Sequence, residues 1–450
     1  MGHAEAVAAL QAQYAAIPPG SPVRLAKKTS NLFRFRDKTA VPGLDVSALN
    51  GVISVDVGSR TADVQGMTTY EDLVDATLRF GLMPLVVPQL KTITLGGAVT
   101  GLGIESSSFR NGLPHESVTE LDVLTGDGRL VTATATNQHA DLFRAFPNSY
   151  GTLGYAMRLR IELEPVTSYV ALRHVRHESA EAAMETIAAV CEGLEHDGQQ
   201  ADFVDGTWFS PTEVYVTLGR LTDEREQAPS DYTGHDIYYR SIQQRHTDLL
   251  TVRDYLWRWD TDWFWCSRAF GVQNPKIRRW VPRRYLRSDT YWKLIALDRK
   301  VGFSAWRDRR AGRPQEAVIQ DVEIPIERTA EFLDFLNSRT AIEPVWLCPV
   351  RLRAGQEWSL YPLRPDQLYV NVGFWSTATI RPGEVDGDHN RAIEAEVARL
   401  GGGKSLYSTS YYSEEDFWSH YNGQEYSRIK KAYDPDERLL DLYQKCVRAR

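Results

Sequence analysis

The chain has 450 residues, 42% of them hydrophobic and 25% charged, so it can bury a large core and is not disordered, collagen-like or a coiled coil. The 52 basic and 59 acidic residues give a net charge of −7, which disfavours general nucleic-acid binding. The four cysteines are widely spaced, with no Cys-x-x-Cys pair. They predict reduced thiols rather than disulfides, and the ten histidines show no spacing typical of metal ligands.

The first 20 residues predict a short alanine-rich helix that ends at Pro18-Pro19-Gly20. No basic segment precedes this helix, as one does in a secretory signal peptide. No apolar run has the roughly 18 residues that a membrane span needs. We therefore expect a cytoplasmic protein that can still contact the membrane on its cytoplasmic face.

Residues 21–165 contain β-branched segments separated by Gly, Pro and Asn, which is typical of strands and turns. Strands are predicted at Val52–Val57 and Thr61–Gln65, followed by a helix at Met67–Phe80. Further strands are predicted at Val118–Leu124, Arg129–Ala133 and Tyr155–Leu163. This order predicts one α+β domain with helices over a mixed sheet.

In residues 166–403, predicted strands such as Glu213–Leu218 alternate with predicted amphipathic helices such as Glu178–Leu194. This alternation predicts a second α+β domain. The glycines at 401–403 predict a hinge into a C-terminal segment, residues 404–450.

Residues 255–287 carry five of the twelve tryptophans and a series of arginines. Tryptophan and arginine together suit a membrane–water interface, which predicts peripheral membrane contact. The alternative is an ordinary aromatic cluster with a solvated basic face. Nucleic-acid binding is disfavoured, because the chain is net acidic.

Four glycines stand within eight positions of the segment TLGGAVTGLGIESSS, residues 94–108, among several hydroxyl residues. Glycine lets the backbone approach a large ligand, and successive N–H groups can hold an anion. One interpretation of the segment is therefore a binding site for a pyrophosphate. The other interpretation is a tight connection between packed strands. The segment lacks the third glycine of a Rossmann fingerprint and the Gly-Lys-Ser/Thr of a Walker loop.

The order of several motifs resembles a known family. The segments "TTYEDL", "TLGGAVTGLGIESSSFRNG", "VTELDVLTGDGRLV" and "DLFRAFPNSYGTLG" are similar to the FAD-binding domain of the vanillyl-alcohol-oxidase/p-cresol-methylhydroxylase flavoproteins. The segments "WLCP" at Trp346–Pro349, "EEDFW" at Glu414–Trp418 and "LYQKCVRAR" resemble the Δ24-sterol reductase (diminuto/seladin) family. The resemblance implies a two-subdomain FAD-binding domain, an α+β cap domain with an antiparallel sheet, and a C-terminal segment that returns to the flavin.

The segments "VRLAKKTSNLFR" and "AFPNSYGTLGY" resemble a bacterial branch that reduces a 10-methylene fatty acyl chain to the 10-methyl chain, as in tuberculostearic acid synthesis. The lack of an N-terminal membrane span and the pair Lys91-Thr92 distinguish this sequence from the sterol enzymes. The resemblance implies NADPH as electron donor, a lipid acyl chain as substrate, and a methyltransferase as pathway partner. Alternatives are a sterol side-chain Δ24-reductase, a sugar-lactone or alditol oxidase, and a lipid-binding protein without activity.

The resemblance also assigns the FAD site. Noncovalent FAD is implied, because no histidine lies between His3 and His115. The residues that match the family's FAD-binding segments are Ser30 and Asn31 in a first phosphate loop; Gly96, Gly97, Thr100, Gly101 and Gly103; Ser106, Ser107, Gly112 and His115; and Gly151, Thr152, Gly154 and Ile161.

An isolated alkene has no neighbouring carbonyl to stabilise an anion, so protonation of the methylene carbon must precede hydride addition. The proton donor predicted from the resemblance is Tyr411 in the C-terminal segment. Glu105 is a second candidate, because burial of a carboxyl can raise its pKa enough for it to donate a proton.

Overall fold

The computed structural model describes residues 2–27, 33–34, 43–225, 227–301, 314–353, 356–361 and 363–447. Ser30 and Asn31, predicted for the first phosphate loop, lie outside these residues. None of the helices in the described part is both long and apolar enough to cross a membrane.

The first of two large sheets belongs to the N-terminal third of the chain. It follows a short parallel pair, β1 (Leu25–Ala26) and β2 (Leu44–Asp45). Its strands are β3 (Val52–Asp56), β4 (Thr61–Gln65), β5 (Leu82–Pro84), β6 (Val118–Leu124), β7 (Leu130–Ala133) and β8 (Tyr155–Pro165). They are ordered β3-β4-β8-β6-β7, with β5 also on β8, and every pair is antiparallel. The prediction of a mixed sheet is therefore wrong, because the long strand β8 pairs antiparallel with β4, β5 and β6.

The second sheet has eight strands in the order β14-β9-β13-β12-β16-β17-β15-β18, again antiparallel throughout. They are β9 (Tyr169–His177), β12 (Phe203–Ser210), β13 (Glu213–Thr222), β14 (Thr247–Thr251), β15 (Gln315–Pro325), β16 (Val345–Val350), β17 (Tyr369–Thr379) and β18 (Gly403–Lys404). A separate hairpin joins β10 (Glu195–His196) to β11 (Gln199–Gln200). Helices Ala180–Gly193, Thr329–Thr340 and Asp388–Arg399 share one apolar core with this sheet.

The other α-helices are mostly short and lie around the two sheets. They span His3–Ala15, Tyr70–Thr77, Leu95–Gly101, Ser108–Asn111, Ala140–Ala145, Tyr238–Ser241, Val252–Leu256, Pro275–Arg278, Ser288–Val301, Glu414–His420, Gly423–Tyr433 and Leu442–Cys446. Turns of 3₁₀-helix lie at Leu78–Phe80, Pro114–Ser117, Asp260–Asp262, Cys266–Phe270, Arg283–Tyr285 and Ile326–Arg328.

The predicted hinge at residues 401–403 leads directly into the second sheet. Gly403 pairs with Glu323 of β15. A Cβ on Gly402 would lie 2.6 Å from the backbone oxygen of Glu323. Gly402 therefore allows close packing against β15, and the pairing of Gly403 fixes the start of the C-terminal segment.

The tryptophan-rich segment has a buried part and an exposed part. Trp257, Trp259, Trp263 and Trp265 are at most 5% exposed, whereas Trp280 is 76% exposed. Residues 255–267 are therefore mostly buried and form an internal aromatic cluster, whereas most residues from 268 to 285 face solvent.

Candidate functional site

A cavity of about 1880 Å³ is lined by parts of both sheets and by the C-terminal segment. Its walls include helix Leu95–Gly101 on one side and β15, β16 and β17 on the other. This volume exceeds the roughly 300–1,000 Å³ typical of sites for drug-sized ligands. The cavity can therefore hold a large ligand together with part of a second molecule.

The glycine-rich segment forms a helix rather than a loop, and it lies against the cavity. Thr94 caps the helix by accepting a hydrogen bond from the Gly97 N–H at 3.2 Å. A Cβ on Gly96 would lie 2.7 Å from the backbone oxygen of Gly66, so glycine is needed for close packing on the sheet. All five residues predicted here line the cavity: Gly96, Gly97, Thr100, Gly101 and Gly103.

The second predicted turn contributes two glycines to the same cavity, Gly151 and Gly154. Both have positive φ, +75° and +138°. A Cβ on Gly154 would overlap Val123 of β6, so only glycine fits there. Thr152 points away from the cavity and donates a hydrogen bond to the Ser149 carbonyl at 2.7 Å.

The remaining residues predicted for FAD are placed behind the cavity wall. Ser106 bonds the Tyr255 hydroxyl at 2.8 Å, and Ser107 donates to the Leu85 carbonyl at 2.8 Å. His115 is buried edge-on against Trp358, and burial lowers its pKa to about 3. The residues predicted for FAD that do not line the cavity are Ser106, Ser107, Gly112, His115, Thr152 and Ile161.

Basic side chains line the part of the cavity nearest the glycine helix. Lys27 donates to the Thr94 hydroxyl at 3.4 Å. Arg34, 5% exposed, lies 4.7 Å over the Tyr150 ring and donates to the Cys446 sulfur at 2.6 Å. These two cations give this end of the cavity a positive charge suited to an anionic ligand.

Another part of the cavity wall is aromatic. Phe264 stacks on Trp375 with ring centroids 4.4 Å apart, and Trp346 packs against Phe264 at 5.4 Å. Trp263 and Phe264 both have positive φ, 46° and 57°, a conformation that bulky residues rarely adopt. Such strain persists only where surrounding packing imposes it, and it is concentrated at functional sites.

One carboxyl lies within this aromatic wall. Asp321 on β15 lines the cavity and accepts a hydrogen bond from Asn371 at 3.3 Å. The Tyr407 hydroxyl is a second partner of this carboxyl, and Trp375 donates to that hydroxyl at 2.7 Å. Burial raises the pKa of Asp321 to about 7, although the bonds from Asn371 and Tyr407 oppose the rise. Gly373, directly across the sheet, leaves the space that the carboxyl occupies.

Neither predicted proton donor lines the cavity. Glu105 is buried in an ion network, where Arg258 donates to it at 3.1 Å and to Asp205 at 2.8 Å. Burial raises the pKa of both carboxyls, and Arg258 opposes the rise. Glu105 therefore neutralises a buried arginine within the aromatic cluster.

Tyr411 has a different environment from the one predicted. Its backbone N–H donates to the Glu394 carboxylate at 3.0 Å, and the Arg391 guanidinium lies 5.6 Å over its ring. The cavity is lined instead by Tyr407 and Trp418 of the same C-terminal segment. The path of the chain after β18 brings Tyr407 to the cavity, because the next residue, Ser408, pairs with Phe33 beside the cavity.

Comparison with known proteins adds the family. Residues 4–134 match the family described as FAD binding domain. Delta(24)-sterol reductases from Rattus norvegicus and Pisum sativum are 26% and 24% identical over 418 and 443 residues, covering 89% and 90% of this chain and 77% and 76% of the relatives. Cytokinin dehydrogenase 5 from Oryza sativa subsp. japonica is 32% identical over 409 residues, covering 85% of this chain and 72% of the relative. The chain belongs to the family of FAD-dependent oxidoreductases that contain this FAD binding domain.

The cavity of this oxidoreductase fits FAD chemically. Lys27, Arg34 and the hydroxyls of Thr94 and Thr100 match an anionic, polar group such as a pyrophosphate with its ribityl chain. The aromatic wall matches a flat isoalloxazine ring. The glycine helix would therefore hold the polar part of FAD, and the wall around Trp375 would face the flavin and its substrate.

Sequence reasoning missed the residues that β15 and β17 bring to the cavity. The signal for Asp321 was a carboxyl in the middle of a strand whose alternate positions are buried. Arg34 gave no local signal, since its partner Cys446 is 412 positions away in the chain.

Proposed function

We propose that this oxidoreductase reduces an isolated carbon–carbon double bond in a lipid, the 10-methylene group of a fatty acyl chain, with electrons from NADPH. The observation that carries the proposal is Asp321, a carboxyl with a pKa of about 7 in an aromatic cavity wall. Relatives named as sterol reductases support reductive chemistry on a lipid. The 10-methylene acyl chain rests on the sequence resemblance to the bacterial branch.

Reduced FAD, when bound, supplies a hydride. Asp321 supplies the proton: its O–H bond breaks while a C–H bond forms at the terminal methylene carbon. The branch carbon then carries a positive charge, which the rings of Phe264 and Trp375 stabilise. Hydride addition at that carbon completes the methyl-branched chain, and Asp321 recovers its proton from solvent between turnovers.

Three neighbours prepare Asp321 for this role. Asn371 and Tyr407 hold the carboxyl in position, and Trp375 fixes the Tyr407 hydroxyl. The apolar wall excludes water, which would otherwise capture the positive charge on the branch carbon. We assign the second sheet to the substrate side and residues 404–447 to closure of the flavin site, since these two regions supply the wall.

The proposal is tested by anaerobic reduction with NADPH, followed by addition of phospholipid that carries a 10-methylene acyl chain. We expect reoxidation of the flavin and formation of the 10-methyl product. In D₂O, mass spectrometry should find solvent deuterium in the new methyl group, because Asp321 exchanges with solvent. A product without deuterium in that methyl group would overturn the assigned proton step.

The relatives' names favour a second candidate, a sterol side-chain Δ24-reductase. Reoxidation by a sterol alkene, but not by the methylene lipid, would select this function. Consumption of oxygen with a sugar lactone or an alditol would indicate an oxidase instead. If the methylene lipid is the substrate, an enzyme that adds a one-carbon unit to an unsaturated acyl chain, a methyltransferase, must act before this one.

A further inference from the structure

Strongly exposed apolar side chains are concentrated in one segment of the chain. Of the thirteen strongly exposed large hydrophobic residues in the part of the chain that the structure describes, six lie between residues 277 and 301. They are Ile277, Trp280, Tyr285, Leu294, Leu297 and Val301, and we call them the apolar surface patch. Large contiguous apolar areas on soluble surfaces mark contacts with other molecules or with membranes.

Helix Ser288–Val301 presents part of this patch along one side. Leu294, Leu297 and Val301 follow the i, i+3, i+7 spacing of a single helix face and are 41%, 57% and 69% exposed. Tyr291 anchors the helix to the protein, since it is buried and its hydroxyl donates to the Thr261 carbonyl at 2.9 Å. The exposed face is therefore held in place by the rest of the helix.

The patch is accompanied by positive charge. Residues 275–301 contain nine Lys and Arg and two Asp, in a chain whose net charge is −7. Four of these cations pair with acidic side chains: Arg278, Arg283, Arg287 and Lys293. Arg279 lies 5.4 Å over the Trp280 ring, and Arg284 lies 4.9 Å over the Tyr285 ring. Both arginines are exposed, and neither has an acidic partner within the described ranges. Aromatic rings beside free cations match the interface between lipid headgroups and acyl chains.

The same helix reaches the cavity wall. Trp292 packs edge-on against Phe33 at 5.1 Å and against Trp263 at 6.1 Å. Phe33 and Trp263 stack on each other at 5.5 Å, and both line the cavity. The apolar surface patch and the cavity are thus joined by one aromatic cluster.

We propose that the apolar surface patch docks on an anionic lipid bilayer and that this contact places the mouth of the cavity against the membrane. The apolar side chains enter the headgroup region, and Arg279 and Arg284 meet lipid phosphates. The anionic cytoplasmic leaflet is the membrane surface that this charge fits. That an acyl chain then enters the cavity rests on the proposed function, whereas docking itself does not.

The test is co-sedimentation of the full-length flavoprotein with vesicles of phosphatidylcholine alone or mixed with phosphatidylglycerol. We expect binding to the mixed vesicles, weakened by salt, and little binding to phosphatidylcholine alone. Leu297→Glu and Trp280→Glu should each weaken binding about tenfold to a hundredfold, because each removes an inserted apolar group. Val385→Glu is the matched control: Val385 is 52% exposed but lies outside the patch, so this variant should bind as the wild type does.

Activity separates docking from chemistry. Leu297→Glu should keep the wild-type rate on a soluble short-chain methylene substrate and lose rate on vesicles. Equal binding of wild type and Leu297→Glu to mixed vesicles would overturn the docking surface, even if the soluble substrate is reduced. A wild-type dimer that Leu297→Glu converts to monomers, with no vesicle binding, would also overturn it and assign the patch to a second copy of the chain. No reduction of either substrate, with normal vesicle binding, would refute the proposed function and leave docking supported.

Discussion

Replacing Asp321 with asparagine keeps the shape of the side chain and removes its acidic proton. The asparagine oxygen can still accept the hydrogen bond from Asn371 that the carboxylate accepts at 3.3 Å. Loss of a positioned general acid typically costs a factor of about 10²–10⁴ in rate. We expect Asp321→Asn to slow flavin reoxidation by the methylene lipid by about this factor, with FAD content and the rate of reduction by NADPH unchanged.

The pH dependence gives an independent measure of the same group. Asp321 has a pKa raised to about 7 by burial, so its proton is present below that pH and is lost above it. The single-turnover reoxidation rate of the wild type should therefore fall about tenfold per pH unit above about pH 7. The Asp321→Asn enzyme should lack this decrease, because it has no proton to lose at this position.

The control is Tyr411→Phe, which removes the hydroxyl of the donor predicted from the sequence. Tyr411 does not line the cavity, so we expect a rate and a pH profile like those of the wild type. Stopped-flow absorbance of the flavin under anaerobic conditions measures all three proteins. Wild-type rate and pH profile in Asp321→Asn, or a large loss in Tyr411→Phe, would refute the assignment of the proton donor.

Gly96→Ala places a Cβ 2.7 Å from the Gly66 oxygen, so it should lower the free energy of unfolding by about 1–3 kcal/mol and reduce the amount of bound FAD. In the control Gly193→Ala the nearest contact of the new Cβ is 3.7 Å, so this variant should be neutral or stabilising by about 1 kcal/mol at most. FAD absorbance and urea unfolding distinguish the two variants. Arg258→Met leaves two buried carboxyls without their cation and should cost about 3–5 kcal/mol in urea unfolding; an unchanged midpoint would contradict the ion network. Burial lowers the pKa of His115 to about 3, so the unfolded chain binds a proton below about pH 6.5 that the folded protein excludes, and stability should fall as pH drops from about 6.5 toward 3. His115→Phe should lessen this fall, as urea unfolding at about pH 7 and about pH 5 would show.

The tryptophan-rich segment shows what composition leaves open. A segment that contains tryptophans and an arginine is compatible with a membrane surface or with a buried cluster. Which of the two it forms depends on the partners of the arginine. Arg258 is neutralised by Glu105 and Asp205, which lie 153 and 53 positions away. No pattern within residues 255–287 contains that information, so the burial of Trp257 and Trp259 was not predictable from the segment alone.

Most of the strands were predictable from the sequence, because turn residues and alternating hydrophobicity act on neighbours along the chain. The assignment of the glycine-rich segments to FAD came from the order of motifs shared with a known family. Helix Leu95–Gly101 and the turn with Gly151 and Gly154 line the cavity. Which carboxyl lies in the aromatic wall of the cavity depends on tertiary contacts. Antiparallel register sets Asp321 opposite Gly373 and beside Asn371, and pairing of Ser408 with Phe33 brings Tyr407 to the same wall. Such contacts join residues far apart in the chain, and the pKa of a carboxyl depends on those contacts rather than on its sequence neighbours.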